Sequence, residues 1–172
     1  MHVALAIISL LAAWKWGDWR NWKRYHPAMM YFAMGNLMYH FLCANHYLWR
    51  FKPDVLSGHT ITEIIYTFVT FPAVALIFLS RYPRAFKKQL FHILQWIVLF
   101  AAAEWLLYIS DRINYDNGWM FLWSLLFDIT MFPMLRLFYQ KELVAYSISI
   151  GLAIMWIWLF NVPVHVPIEL RK

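Results

Sequence analysis

The sequence predicts an all-α fold, a polytopic transmembrane helical bundle of six spans, five if the first lies flat in the interface. Three observations carry that expectation. Hydrophobic residues make up 63% of the chain and charged residues 14%, whereas soluble domains run about 45–50% apolar and about 25% charged. The apolar residues fall into runs close to the roughly 20 residues that a helix needs to cross hydrocarbon. The basic residues gather in alternate connections between those runs, the pattern that orients membrane proteins. The 172 residues are read as one domain, without repeat, linker or low-complexity segment.

The elements follow in order. Met1 to Trp14 is a short first span; it lacks the basic leader and small-residue cleavage site of a secretion signal. In Lys15 to Pro27 (KWGDWRNWKRYHP) Trp16, Trp19 and Trp22 alternate with Arg20, Lys23 and Arg24. Beside a span, this interleaving reads as an interfacial anchor, rings among headgroups and cations on lipid phosphates. Base stacking on nucleic acid is the competing use, and no nucleic acid partner is expected. The second span is Ala28 to Trp49, with Asn36, His40, Cys43 and Tyr47 on one face at helical spacing. Arg50 to His59 is a loop.

Thr60 to Ser80 is the third span, with Thr60 and Glu63 placed for a capping box, Thr67 and Thr70 on the face of Glu63, and Pro72 positioned to kink it. A basic turn, Arg81 to Lys88, leads to the fourth span, Gln89 to Ser110, which carries Glu104. Asp111 to Asn117 is a polar loop. The fifth span, Asn117 to Phe138, holds Ser124 and Asp128 at i,i+4 and is the stretch around which the bundle is expected to organise. Leu143 to Asn161 is the sixth, with Ser147 and Gly151 as a small face suited to a homo-oligomer. The tail from Val162 is expected to be irregular.

Of the 15 Lys and Arg, ten fall in the first, third and fifth connections. Positive charge stays inside. The expectation is therefore a multi-pass plasma-membrane protein with both termini extracytoplasmic and the lipid bilayer as its first partner.

That orientation converts positions into depths. At about 1.5 Å per residue, Glu63 and Glu104 lie roughly 5–9 Å from the outer ends, and His40, Thr67 and Asp128 roughly 10–15 Å. An ionised Asp at mid-span costs on the order of 2.5–3.5 kcal/mol on insertion scales, so Asp128 should face other helices and be neutral or paired. Asn36, His40, Glu63, Thr67, Glu104, Ser124 and Asp128 are thus the candidates for a polar pocket in the outer half.

Three roles fit that set. The groups could lock helices together by hydrogen bonds. They could bind a small ligand, ion or proton from outside, with His40–Asp128 as a proton relay in a carrier or sensor. They could serve a membrane-embedded enzyme, through a metal held by His40 and the carboxylates or through acid–base chemistry. No HExxH, Walker loop or GxSxG is present, the single Cys43 excludes an internal disulfide, and the pattern names no cofactor.

Trp22 with Tyr25-x-Pro27, Asn36-x-x-Tyr39, Trp49, Glu63 ahead of Phe71-Pro72, Tyr82-Pro83, Glu104 and the run Tyr115-x-x-Gly118-Trp119-x-x-x-Trp123-Ser124 extend over most of Trp19 to Leu137. In these motifs the chain resembles a family of small polytopic membrane proteins of spore-forming Gram-positive bacteria. The resemblance implies a plasma-membrane helical bundle and no reaction. Asp128 is not among the residues that carry it.

Overall fold

The computed structural model describes residues 1–53 and 58–171. Six helices dominate them: α1 His2–Trp16, α2 Trp22–Leu42, α3 His59–Ser80, α4 Phe86–Ile109, α5 Phe121–Gln140 and α6 Glu142–Leu159. Of these, α3 to α6 are long and apolar enough to cross a membrane. The helix α2 has the length, but Lys23, Arg24 and His26 dilute its first turns. At 15 residues, α1 reaches about 22 Å, short of a hydrocarbon layer of about 30 Å.

The bundle is organised around α3 and not, as expected, around the stretch holding Asp128. Every residue from Ala73 to Leu79 is buried, and α3 packs against α1, α2 and α5. A helix apolar on all sides is one that other helices surround. The helix α5 shows a single inward face, with Ser124, Asp128, Phe132 and Leu135 buried, and it joins α2, α4 and α6. The outermost helices, α4 and α6, bury 11% and 6% of their apolar windows. Side chains such as Leu143, Trp158 and Phe86 are turned fully outward.

Helix α1 stands upright. His2 at its start meets Tyr66, while at its end the Trp16 carbonyl accepts from Arg81 Nε at 3.1 Å. It therefore runs parallel to α3 from Tyr66 to Arg81, with Gly17 against Leu76; a Cβ on Gly17 would lie 2.9 Å from Leu76 Cδ2. A flat first helix would not make both contacts.

Both termini and the second and fourth connections meet at one end of the bundle, here the cap end. Two stretches expected to be loops are partly strand there. β1, Trp49–Phe51, pairs antiparallel with β2, Ile113–Tyr115, in the register Trp49↔Tyr115 and Phe51↔Ile113. Lys52 pairs with Asp111 beside it, and His2 Nε2 bonds the Lys52 carbonyl at 2.9 Å. The tail is irregular as expected except for one helical turn at Ile168–Leu170, and it is docked: Arg171 donates to the carbonyls of Leu42 (2.7 Å) and Ala44 (3.4 Å). The opposite, basic end is closed by aromatics, with Arg136 over Tyr82 at 4.4 Å and Tyr25 stacked on Tyr139.

Other boundaries differ for local reasons. The helix α2 starts at Trp22 and stops at Leu42, because Asn45 takes a left-handed φ of 59° and Tyr39 grips the returning chain. The Tyr39 hydroxyl accepts from Leu48 N and Trp49 N and donates to the Trp49 carbonyl. Asn117 and Gly118 have φ of 50° and 82°, so α5 begins at Phe121. The capping box at Thr60 does not form: α3 begins after Gly58 without a side-chain cap, and Glu63 is drawn elsewhere. Pro72 follows a wide π-turn over Tyr66–Thr70. Proline cannot donate and its ring crowds the carbonyl four residues back; the extra residue in the turn relieves that crowding.

The interior is graded along its length. The main apolar core, including Ala28, Val74, Phe78, Phe132, Leu135 and Phe138, fills the half toward the basic end. The polar residues lie in the cap-side half.

Candidate functional site

The sequence-derived candidates form two clusters. In the first, α2 faces the start of α3. Asn36 Nδ2 donates to Thr67 Oγ1 at 2.8 Å in a bond buried on both sides. His40 Nε2 and Glu63 Oε2 lie 2.8 Å apart, with side chains 18% and 12% exposed. His59, read from the sequence as a loop residue, approaches the other carboxylate oxygen, Nδ1 to Oε1 at 3.7 Å. Glu63 thus sits between two imidazoles, and its helical spacing to His59 was the signal for that contact. Tyr39, Tyr47 and Trp49 ring His40. Thr70, on the π-turn, is buried and its hydroxyl has no partner.

In the second cluster, α4 and β2 face the start of α5. Tyr115 donates its hydroxyl to Glu104 Oε1 at 2.6 Å. Burial, then the bond to Glu104, pushes the Tyr115 phenol above its ordinary value. Ser124 accepts from Trp119 Nε1 at 2.9 Å, and its hydroxyl also lies against Glu104 and Tyr115. Asp128 is one helical turn deeper on the same face, 5% exposed. Its Oδ2 is buried without a hydrogen-bond partner, and the charged group it senses is Glu104.

His40 is therefore paired with Glu63, not with Asp128. The relay between His40 and Asp128 is not assembled, and among the described residues no three His, Cys, Asp or Glu side chains are placed to hold a metal ion. The metal form of the enzyme reading required His40 with two carboxylates about one point, and that donor set is not brought together.

The structure adds a feature that the sequence reading missed. An open basin of about 500 Å³ at the cap end is lined by Asn45, Tyr47, Arg50, Asp116, Asn117 and Arg171. Arg50 Nε meets Asp116 Oδ2 at 3.3 Å. Asn45 donates to the Ile168 carbonyl and Asn117 to the Tyr47 carbonyl, so the amides staple the cap. Asparagines at left-handed turns were the visible signal.

The expected anchor lies at the basic end. Trp16, Trp19 and Trp22 are 49%, 44% and 39% exposed, and Arg20, Lys23 and Arg24 are exposed beside them. Asp18 caps the turn between α1 and α2; the Asn21 amide bonded to its carboxylate holds it below the usual carboxylate range. No protein-family model, curated protein or solved structure matches the chain.

Proposed function

We propose that the chain is a six-span integral membrane protein of a bacterial plasma membrane, its cap end and both termini extracytoplasmic, that binds a small ion or proton in its outer half. The observation that carries this reading is the placement of the interior acids. Glu63, Glu104 and Asp128 all sit in the cap-side half, and none of the ion pairs among the described residues joins Glu104 or Asp128 to Lys or Arg. Acids inside a membrane bundle are costly, and without a fixed countercharge they mark ion or proton sites. The bias of basic residues toward the other end supports the orientation. The wide outward-facing apolar surface of α4 and α6 supports lipid as its surroundings. The resemblance to small membrane proteins of spore-forming bacteria agrees with this reading and adds no reaction to it.

A second reading, a purely structural role, draws on the Asn36–Thr67 bond and the Trp119–Ser124 bond, which staple elements without needing a ligand. Cysteine accessibility separates the two. In a Cys43→Ser background, cysteines replacing His40, Glu63, Ala75, Lys87 or Asn161 are probed with a membrane-impermeant thiol reagent added outside cells. Positions 161, 63 and 40 are expected to react, and 75 and 87 to stay silent. Reaction at 161 but not at 40 or 63 would show the His40–Glu63 cluster closed to the outside and leave that cluster only the structural role. Reaction at 87 and not 161 would reverse the orientation.

A further inference from the structure

The geometry points to Glu104 and Asp128 as a binding site for a monovalent metal cation, held between α4 and α5 by the two carboxylates and the Ser124 hydroxyl. This rests on the membrane reading above and names the ion class for it. Ser124 and Asp128, four residues apart on α5, share a face. Glu104 reaches the Ser124 hydroxyl from α4, which brings the second carboxylate over that same face. The groups these contacts join to the carboxylates are oxygens and an aromatic N–H: Ser124, the Tyr115 hydroxyl and Trp119 Nε1. The remaining titratable ring beside them is Tyr108, stacked on Tyr115. Hard oxygen donors select hard cations over thiophilic ones.

Two like charges in a low-dielectric interior cannot both persist without compensation. Among the described residues at the cap, Arg50 is engaged with Asp116, Lys52 with Asp111, and Arg112 and Arg171 with backbone carbonyls. A single proton shared directly between the acids would need their oxygens at about 2.5–2.7 Å. Glu104 acts on Asp128 through its charge and not through a hydrogen bond, and Asp128 Oδ2 is buried without a hydrogen-bond partner. A bridging cation suits that gap. Ca²⁺, with an ionic radius close to that of Na⁺, takes oxygens at about 2.3–2.6 Å, so oxygens on either side of such an ion lie about 4–5 Å apart. Calcium itself takes six to eight oxygen ligands, often several carboxylates, and here only two acids converge. One positive charge between two carboxylates, eased by the Tyr115 hydroxyl, is the economical solution, and at low pH a proton on Asp128 competes for the place.

The test is thermal unfolding of the purified full-length protein in lipid nanodiscs, with Na⁺, K⁺ or Li⁺ exchanged for N-methyl-D-glucamine at constant ionic strength, at pH 8 and pH 5. A bound cation should raise the midpoint by about 5–10 °C at a hundredfold excess over its Kd. The rise should be smaller at pH 5, absent in Glu104→Gln and Asp128→Asn, and intact in Lys87→Gln at the opposite, exposed end. The wild-type ion series is informative even if a variant fails to fold. Dependence on pH without dependence on the metal ion would show that a proton alone occupies the pair and overturn the proposal. No dependence on either, or a cation effect that survives both substitutions, would also overturn it. Cysteine accessibility at positions 40 and 63 is read separately, so a closed outer half and an absent cation site give different results.

Discussion

The bond between Asn36 and Thr67 offers a measurement of what the interior polar residues contribute. Both residues are buried, at 7% and 1% exposure, and the bond is 2.8 Å long. Interhelical hydrogen bonds of this kind in membrane bundles are worth about 0.6 kcal/mol on average and about 1.7 at most. The two single truncations should nevertheless differ. In Asn36→Ala the stranded hydroxyl of Thr67 can turn back to a carbonyl of its own helix; the cost should be about 0.5–1 kcal/mol. In Thr67→Val the stranded group is a primary amide with two donors and no fallback inside α2, and an orphaned buried group costs about 1–3 kcal/mol. A double-mutant cycle, read by steric trapping or by SDS unfolding from bicelles, should give Thr67→Val as the worse single change and a coupling of about 0.6–1.7 kcal/mol. Equal costs with zero coupling would refute the argument that this contact ties α2 to α3.

Two further outcomes follow from contacts elsewhere. Gly17→Ala should loosen α1, because its new Cβ would stand 2.5 Å from the Ala13 carbonyl and 2.9 Å from Leu76; faster hydrogen exchange across Ala6 to Ala13, with α5 unchanged, is the expected readout. Cys43 is buried at the end of α2, and burial pushes its thiol up to about 11. With so little thiolate at pH 7 it should resist maleimide in the folded protein and react fully once unfolded, and fast native labelling would contradict the packing around it.

Helices were readable from the sequence because a bilayer leaves a coarse mark, runs of apolar residues about 20 long. What the sequence concealed was which helix would be central. Phe71 to Leu79 is apolar at nearly every position, so its periodicity points nowhere, and an element buried on all sides looks like one bathed in lipid. Asp128 drew attention because a lone acid stands out, yet its helix has one inward face and an outer one. The pairing of β1 with β2 joins two three-residue segments more than 60 positions apart, too short for any alternation to register. The docking of Arg171 onto the end of α2 is a contact between backbone carbonyls and a distant guanidinium, which no local pattern encodes.

The candidate site was legible to a similar depth. Asn36, His40, Glu63, Thr67, Glu104, Ser124 and Asp128 do lie in one half of the bundle, since depth follows from counting residues along a helix of known rise. Their partition did not follow, because rotation about the helix axis is set by packing and not by depth. Glu63 turns to His40 and His59, while Glu104 turns to Tyr115 on a strand that was not foreseen. This partition weakens any path that needs His40 and Asp128 in contact. It strengthens the case for two separate sites of different character. One holds an acid flanked by two imidazoles, with Glu63 Oε1 left without a hydrogen bond; the other holds two acids that, among the described residues, form no ion pair with a basic side chain, with Asp128 Oδ2 left without a hydrogen bond. A bundle that needed these groups only to hold helices together would be expected to satisfy Asp128 as fully as it satisfies Asn36, since an orphaned buried carboxylate weakens the packing it is meant to secure.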